Sequence, residues 1–354
     1  GTQVAAVRTA LADADIAAQL ARGSVAIVVG KANLAESSAA TVDAMHVVLE
    51  AFPSATILPA FRRGNVVGAL QVGMRPRTGG LDTRGMLQAA ADGKIELLVL
   101  VGADPLSDFP DTDLARRGLA GARRLVSVDT HLSASSKQAD VVLTAAAYGE
   151  KRGTTTNFEG RVTTLGQKVT AHGTSRPDWM IAAGIATALG ADLGFAGVDD
   201  ITDAIASLVE SYQGVTRDVL ARDRDGVLSE VPTSFGVPHR GSTEAPVRNS
   251  YDFRLVVSRK LYDAAVGTAH SPSLAHLAPG ATAHLHPLDF ERAGVVPGAD
   301  VKLTSAKASV VLRAEPDATV LRGTVWVPFN QPGGSIGELI DSGAPITDVR
   351  IENL

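Results

Sequence analysis

Short apolar runs alternate with stretches of helical spacing through the first 145 residues, and this alternation constrains the fold more than any other feature of the chain. Residues 4–20 are Ala-rich and helical in spacing, closed by Gly23. Residues 25–29 form an apolar strand ending at Gly30. Between 37 and 50, Val42, Met45, Val48 and Leu49 share one side of a helix. A short strand at 56–58 stops at Pro59, residues 87–91 read as the end of a helix, and 95–101 is the most strand-like run. Further strands at 125–128 and 141–143 complete the set. Strands and helices alternating at this spacing predict an α/β domain with a doubly wound parallel sheet and right-handed crossovers.

The loops after these strands exclude several functions. Gly30 is followed by Lys31, Ala32, Asn33 and Leu34, so the dinucleotide fingerprint G-x-G-x-x-G is missing. Walker A, G-x-S-x-G and H-E-x-x-H patterns are missing too. The stretch 139–161 stands out instead. An apolar run at 141–143, of the kind buried on both faces of an α/β sheet, leads into a turn-rich loop. That loop crowds Glu150, Lys151, Arg152, Thr154, Thr155, Thr156, Asn157, Glu159 and Arg161 between glycines. Ligands gather beyond the carboxyl ends of strands in open sheets, which makes the loop a site candidate. The other reading is a loop whose polar groups satisfy its own backbone.

Asp104 and Asp129 also follow strands, and turn or helix capping accounts for either one. Asp104, Asp108, Asp111 and Asp113 lack the ligand spacing, central Gly and distal Glu of an EF-hand loop, so capping and solvated charge are the reading there. Residues 62–83 are loop-rich and hold Arg62, Arg63, Arg75 and Arg77. These arginines suit an anion, a neighbouring subunit, or solvent.

Charge and composition bound the partners. With 33 basic against 38 acidic residues the net charge is −5, and no basic block points to nucleic acid or an anionic membrane surface. The longest apolar run, 180–191, stops at Asp192 and falls short of the roughly 20 residues a membrane span needs. The chain has no cysteine, which excludes disulfides, thiolate zinc sites and cysteine-ligated iron–sulfur clusters within it. It begins Gly-Thr-Gln, without an initiator Met or a signal peptide, and reads as a segment of a longer protein.

Three consecutive segments emerge: 1–165 as the α/β domain, 166–248 as a helical connection and linker, and 249–354 as a β-domain. In the second, Ser175-Arg176-Pro177-Asp178 predicts a capping box opening a helix that Gly190 ends. Asp200 and Asp203 open a second helix running to Tyr212, and periodicity fades from 215 to 248. In the third, strands are expected at 253–257, 282–286, 300–304, 309–313 and 323–327. His284 and His286 share a strand face and offer two metal ligands without a third. Packing is the alternative.

The run Glu150 to Val162 resembles the signature E-K-x-G-T-x-T-N-x-E-G-R-V of the molybdopterin oxidoreductase superfamily. Within it the chain is similar to the G subunit of bacterial NADH–quinone oxidoreductase, the large iron–sulfur subunit of respiratory complex I. Thr163 stands where the family pattern continues with Gln. Val101-Gly102-Ala103-Asp104-Pro105 and Val128-Asp129-Thr130 resemble the loops V-G-x-N-P and V-D-x, which hold the guanine dinucleotide tail of the pterin in catalytic members. Here Asp104 replaces the usual Asn. Arg176-Pro177-Asp178-Trp179, Ser271-Pro272, the segment from His286 to Leu303 and Trp326-Val327-Pro328-Phe329-Asn330 resemble further family stretches.

The resemblance implies that 249–354 is a double-psi β-barrel. It implies vestigial cofactor-binding positions at Gly102, Asp104, Pro105, Asp129, Glu150, Thr154, Asn157, Glu159 and Arg161, with no catalytic and no metal-binding residue. Glu150, Asn157, Glu159 and Arg161 would be buried, satisfying one another and the local backbone where catalytic members have a cofactor cavity. The resemblance also implies a structural role within NADH–quinone oxidoreductase, with iron–sulfur clusters upstream. The partners would be other subunits of the peripheral arm, at the cytoplasmic face of the membrane, with no nucleic acid and no membrane insertion. Two alternatives stand beside it. One is half of a catalytic enzyme of the formate dehydrogenase or nitrate reductase type, binding molybdopterin guanine dinucleotide. The other is a free-standing nucleotide-binding module.

Overall fold

The computed structural model describes residues 4–31, 33–230 and 252–354. In chain order the first half runs α1 (Val4–Ala12), α2 (Ala14–Leu20), β1 (Ala26–Val29), α3 (Ser38–Ala51), β2 (Thr56–Pro59), α4 (Val66–Gln71), α5 (Thr83–Ala91), β3 (Leu98–Val101), α6 (Pro105–Asp108), α7 (Thr112–Gly121), β4 (Leu125–Asp129) and β5 (Val141–Thr144). The middle holds β6 (Gly153–Thr156), β7 (Arg161–Leu165), α8 (Asp178–Ala188), α9 (Val198–Leu208), α10 (Arg217–Arg222) and β8 (Val227–Leu228). The last part holds β9 (Phe253–Arg259), α11 (Val266–Ala269), β10 (Thr282–Leu285), α12 (Pro287–Ala293), β11 (Asp300–Thr304), β12 (Ser309–Pro316), β13 (Thr324–Phe329) and β14 (Asp348–Asn353).

The described residues fall into two compact units that interleave along the chain, in contrast to the three consecutive segments suggested by the sequence. The first unit takes the chain up to Ala60, then Asp104–Ala120, then the described residues from 252 on. The second takes Phe61–Ala103 and 121–230. Strand pairing between residues 26 and 144 is parallel throughout, as the alternation predicts, but it is divided between two sheets. β1 and β2 pair in the first unit; β3, β4 and β5 pair in that order in the second. The expectation of a run buried on both faces at 141–143 is corrected: Val141 and Val142 are exposed, because β5 is the edge strand of a three-stranded sheet.

Local chemistry explains other departures from the pattern. The helix expected over 4–20 breaks at Asp13, whose carboxylate accepts from the backbone N–H groups of Asp15 and Ile16 and so caps a new helix. Helix α3 is capped by Ser37 Oγ, which accepts from Ala39 N, and the side it buries carries Ala44, Met45 and Val47, while Val42, Val48 and Leu49 are only partly covered. Helix α8 starts at Asp178 without the capping box. Ser175 Oγ donates to the His172 carbonyl instead, and Pro177 occupies the cap position. Gly190, at φ +82°, does end that helix. The expected linker from 215 holds α10 and β8 as far as 230, and its remainder, 231–248, lies outside the described residues.

In the first unit six strands close a barrel in the order β10-β12-β11-β14-β9-β13, with β13 returning to β10. Two parallel pairs, β10 with β12 and β9 with β13, are set among antiparallel ones. Alternate residues point inward. Leu255, Val257, Leu285, Val301, Leu303, Val325 and Val327 are all fully buried. The barrel also takes in chain from outside the expected β-domain. Leu34 N donates to the Val257 carbonyl, the Asn33 amide spans Leu255 O and Val257 N, and Ala35 joins the core. His284 lies with its ring 4.8 Å from Trp326, and His286 caps α12 through Nδ1. Packing accounts for the first and capping for the second.

Candidate functional site

The signature stretch is not an open loop. Its threonines are β-branched and favour extended backbone, and residues 153–165 form an antiparallel hairpin of β6 and β7, with Thr154 opposite Thr164 and Thr156 opposite Val162. β8 pairs on the far side of β7. Asn157 builds the turn: its Oδ1 accepts from the backbone N–H of Glu159 and of Arg161, each at 2.9 Å. Glu150 Oε2 accepts from Ala147 N at 2.8 Å. Arg161 Nη1 donates to the Gly226 carbonyl at 3.2 Å, and its Nε lies 3.9 Å from Glu159. Lys151 pairs with Asp178, and Arg152 with Asp199 at 3.1 Å.

Under the hairpin sits a small core in which Val162 packs with Tyr212, Val215 and Leu220. Thr156 Oγ1 and the Tyr212 hydroxyl share a 2.5 Å hydrogen bond, both residues being buried. Burial pushes the Tyr212 phenol above its ordinary pKa, and the bond from Thr156 pulls the other way. Three supports here were not anticipated from the sequence. Asn65 Oδ1 accepts from Thr156 N at 2.8 Å, and Ser229 Oγ donates to the Gly160 carbonyl at 2.8 Å. A Cβ on Gly68 would lie 3.0 Å from Thr156 Oγ1, so α4 can meet β6 only through a glycine. Asn65 and Gly68 form the spacing N-V-V-G within the arginine-rich stretch, and that spacing was the available signal.

The remaining candidates are placed separately. In the second unit Gly102 adopts φ +57°, and Asp129 Oδ1 accepts from Thr130 N at 2.7 Å. In the first unit Asp104 is 4% exposed and takes a 2.8 Å bond from Ser107 Oγ, while Pro105 is the buried first residue of α6. Asp111 is a junction. Leu114 N at 3.0 Å, Lys307 Nζ at 2.9 Å, and the Ser342 N–H and hydroxyl, both at 3.0 Å, all bind its carboxylate. Burial opposes its ionisation, but these donors outweigh it and hold the acid below the usual carboxylate range. Asp108 pairs with Arg259 at 3.0 Å, and Asp113 with Arg117 at 3.0 Å. Among the described residues no three His, Asp or Glu side chains are grouped to hold a metal, and no helix is long and apolar enough to cross a membrane. Arg62, Arg63, Arg75 and Arg77 are exposed.

A pterin dinucleotide carries a pyrophosphate and needs N–H and O–H donors aimed outward at it. Asn157 instead turns its oxygen onto the backbone N–H groups of the hairpin turn, Glu150 onto Ala147 N in the turn before the hairpin, and Asp129 onto Thr130 N. The expectation that Glu150, Asn157, Glu159 and Arg161 are buried is corrected: Glu159 is exposed and the other three are only partly covered, because they sit in turns at the ends of the strands. The Thr154 hydroxyl has no partner among the described residues. These side chains do not assemble a donor set for that cofactor.

Comparison with known proteins fits this fold. The profile of the molybdopterin oxidoreductase family matches residues 19–188, and that of the “Molydopterin dinucleotide binding domain” matches 253–350. The chain is 25% identical over 382 residues to the NADPH-Fe(3+) oxidoreductase subunit alpha of Geobacter sulfurreducens, covering 98% of this chain and 44% of that protein. It is 27% identical over 268 residues to a G subunit of the NADH-quinone oxidoreductase of Rhizobium meliloti, covering 76% of this chain and 31% of that one. The chain thus spans less than half the length of either relative. Acetylene hydratase from Pelobacter acetylenicus shares the fold, with a TM-score of 0.60 at 15% identity over 76% of this chain and 46% of that one. With both of its domains matched in order along a parallel-sheet and closed-barrel architecture, the chain belongs to the molybdopterin oxidoreductase family.

Proposed function

We propose that this chain is a structural, non-catalytic part of the G subunit of an NADH–quinone oxidoreductase, supporting electron transfer that iron–sulfur clusters elsewhere in the enzyme carry out. The observation that carries this reading is the signature stretch, in which Asn157 is spent on the backbone of the hairpin turn and Glu150 on the backbone of the turn that precedes the hairpin. The absence of cysteine from the sequence supports it, since a cluster needs thiolates or near equivalents. The similarity to the Rhizobium meliloti protein supplies the class of enzyme. The chain's partners would then be peripheral-arm subunits at the cytoplasmic face of the membrane.

A second reading has one observation in its favour. The match of 253–350 to a dinucleotide-binding domain suits a catalytic half that holds molybdopterin guanine dinucleotide.

Asn157→Ala separates the two readings. It removes the acceptor for two backbone N–H groups, of which that of Arg161 is half-buried, and leaving such a group unsatisfied costs about 1–3 kcal/mol. On the structural reading the variant lowers assembly and thermal stability of the purified enzyme, while NADH oxidation at the flavin site of the assembled fraction is unchanged. Stoichiometric molybdenum and pterin in the wild-type protein, lost in the variant along with a substrate-specific activity, would establish the catalytic reading instead.

A further inference from the structure

A cleft of about 590 Å³ opens in the second unit where the hairpin β6–β7 meets α9 and α10. Leu220 lines it and also packs in the small core with Val162 and Tyr212. On the antiparallel ladder Thr154 and Thr164 are opposite each other, two residues along from Thr156 and Val162, so both pairs lie on the same hairpin face. Beyond the small core that face carries two threonine hydroxyls into the cleft, and neither has a partner among the described residues.

Three arginines also line the cleft. Two are held in place: Arg152 by Asp199 at 3.1 Å, and Arg217 by Asp203 at 3.0 Å. Each uses only part of its donor fork in doing so. The third, Arg224, has no hydrogen-bond or ion-pair partner among the described residues, and neither does the carboxylate of Asp218 beside it. The cleft therefore offers one free guanidinium, two anchored ones and two hydroxyl donors facing a common space, together with one unengaged acceptor.

We propose that this cleft binds a small ligand carrying an oxyanion next to hydroxyl groups, with Arg224, Thr154 and Thr164 on the oxyanion and Asp218 accepting from a ligand hydroxyl. Guanidinium forks match phosphate and carboxylate oxygens. The wall also carries carboxylates, Asp199 and Asp218, but Asp199 is occupied by Arg152. Thr154 aside, the site uses none of the family's signature side chains, and it does not depend on whether the enzyme holds a pterin.

Calorimetric titration of the protein with inorganic pyrophosphate, ribose 5-phosphate and citrate at low ionic strength tests the assignment and separates phosphate from carboxylate sources. Saturable binding of at least one probe is expected. Arg224→Ala is expected to weaken it roughly tenfold or more, as the loss of a charge-assisted contact does. Asp218→Asn should weaken ribose 5-phosphate while sparing pyrophosphate. Arg77→Ala, which removes an exposed arginine elsewhere in the same unit, should leave every affinity unchanged. Arg224 is exposed, and an unchanged melting curve verifies that its variant is folded. No saturable binding, affinity unaltered in Arg224→Ala, or an equal loss in Arg77→Ala would each overturn the proposal.

Discussion

Asp111 concentrates more structural consequence than any residue of the expected cofactor positions. Its carboxylate is 2% exposed and joins the N-terminus of α7, Lys307 at the barrel and the backbone at Ser342. Removing one partner of a buried pair strands the other charge, which costs about 3–5 kcal/mol. Asp111→Ala is expected to fall in that range in urea unfolding at pH 7, near the lower end because Lys307 is partly solvated. Because the folded-state pKa is depressed, the unfolded chain binds the extra proton as pH falls. The stabilisation is thus fully present above the unfolded value of about 3.9 and is lost as pH drops through the folded one. Wild type should lose stability below about pH 4 more steeply than Asp111→Asn; parallel acid profiles would contradict this account. The sequence placed Asp111 among carboxylates used for capping, and it is a cap. Its second and third partners, 196 and 231 residues away, could not be read from local spacing.

Two helical glycines show how an element's surroundings reverse its intrinsic preference. Within α4, a Cβ at Gly68 would meet Asn65 Oδ1 at 2.4 Å and Thr156 Oγ1 at 3.0 Å. Within α8, a Cβ at Gly184 would meet nothing within 4 Å. Alanine favours a helix interior over glycine by about 1 kcal/mol. Gly184→Ala should therefore stabilise by about 0.5–1 kcal/mol. Gly68→Ala should destabilise by about 1–3 kcal/mol, because the clash moves a backbone-bonded amide and a buried strand. Thermal melts of both variants check the contrast, and stabilisation by Gly68→Ala would refute the packing of α4 on β6. Sequence propensity treats both glycines alike; only the neighbour across the helix face tells them apart.

The barrel does not keep its core to itself. Residues 33–35 bond along β9 and add Ala35 to the interior, and Arg259 reaches Asp108 while Lys307 reaches Asp111. The β-domain, read from the sequence as residues 249–354, is thus completed by two earlier stretches of chain. A fragment of residues 252–354 should unfold at lower urea than the barrel within the intact protein, and its tryptophan fluorescence at Trp326 reports that midpoint. An equal midpoint would show that the early stretches add nothing.

Local sequence was enough to specify the class of each half. Alternation of strand and helix predicted parallel pairing, since parallel neighbours need a crossover connection rather than a tight turn; the short strands predicted a β-domain, and the resemblance implied that it is a barrel. The signature motif identified the family because its residues are local in sequence. Packing in three dimensions settled the division of the parallel strands between two sheets and the conversion of the polar loop into a hairpin. It also settled the use of Asn157 on the hairpin turn and of Glu150 on the turn before it, and the recruitment of Asn33 and Asp111 to the barrel. Pairing of the sheets and recruitment to the barrel rest on partners far apart in the chain, and a buried N–H or carboxylate takes whichever partner the packing brings within about 3 Å.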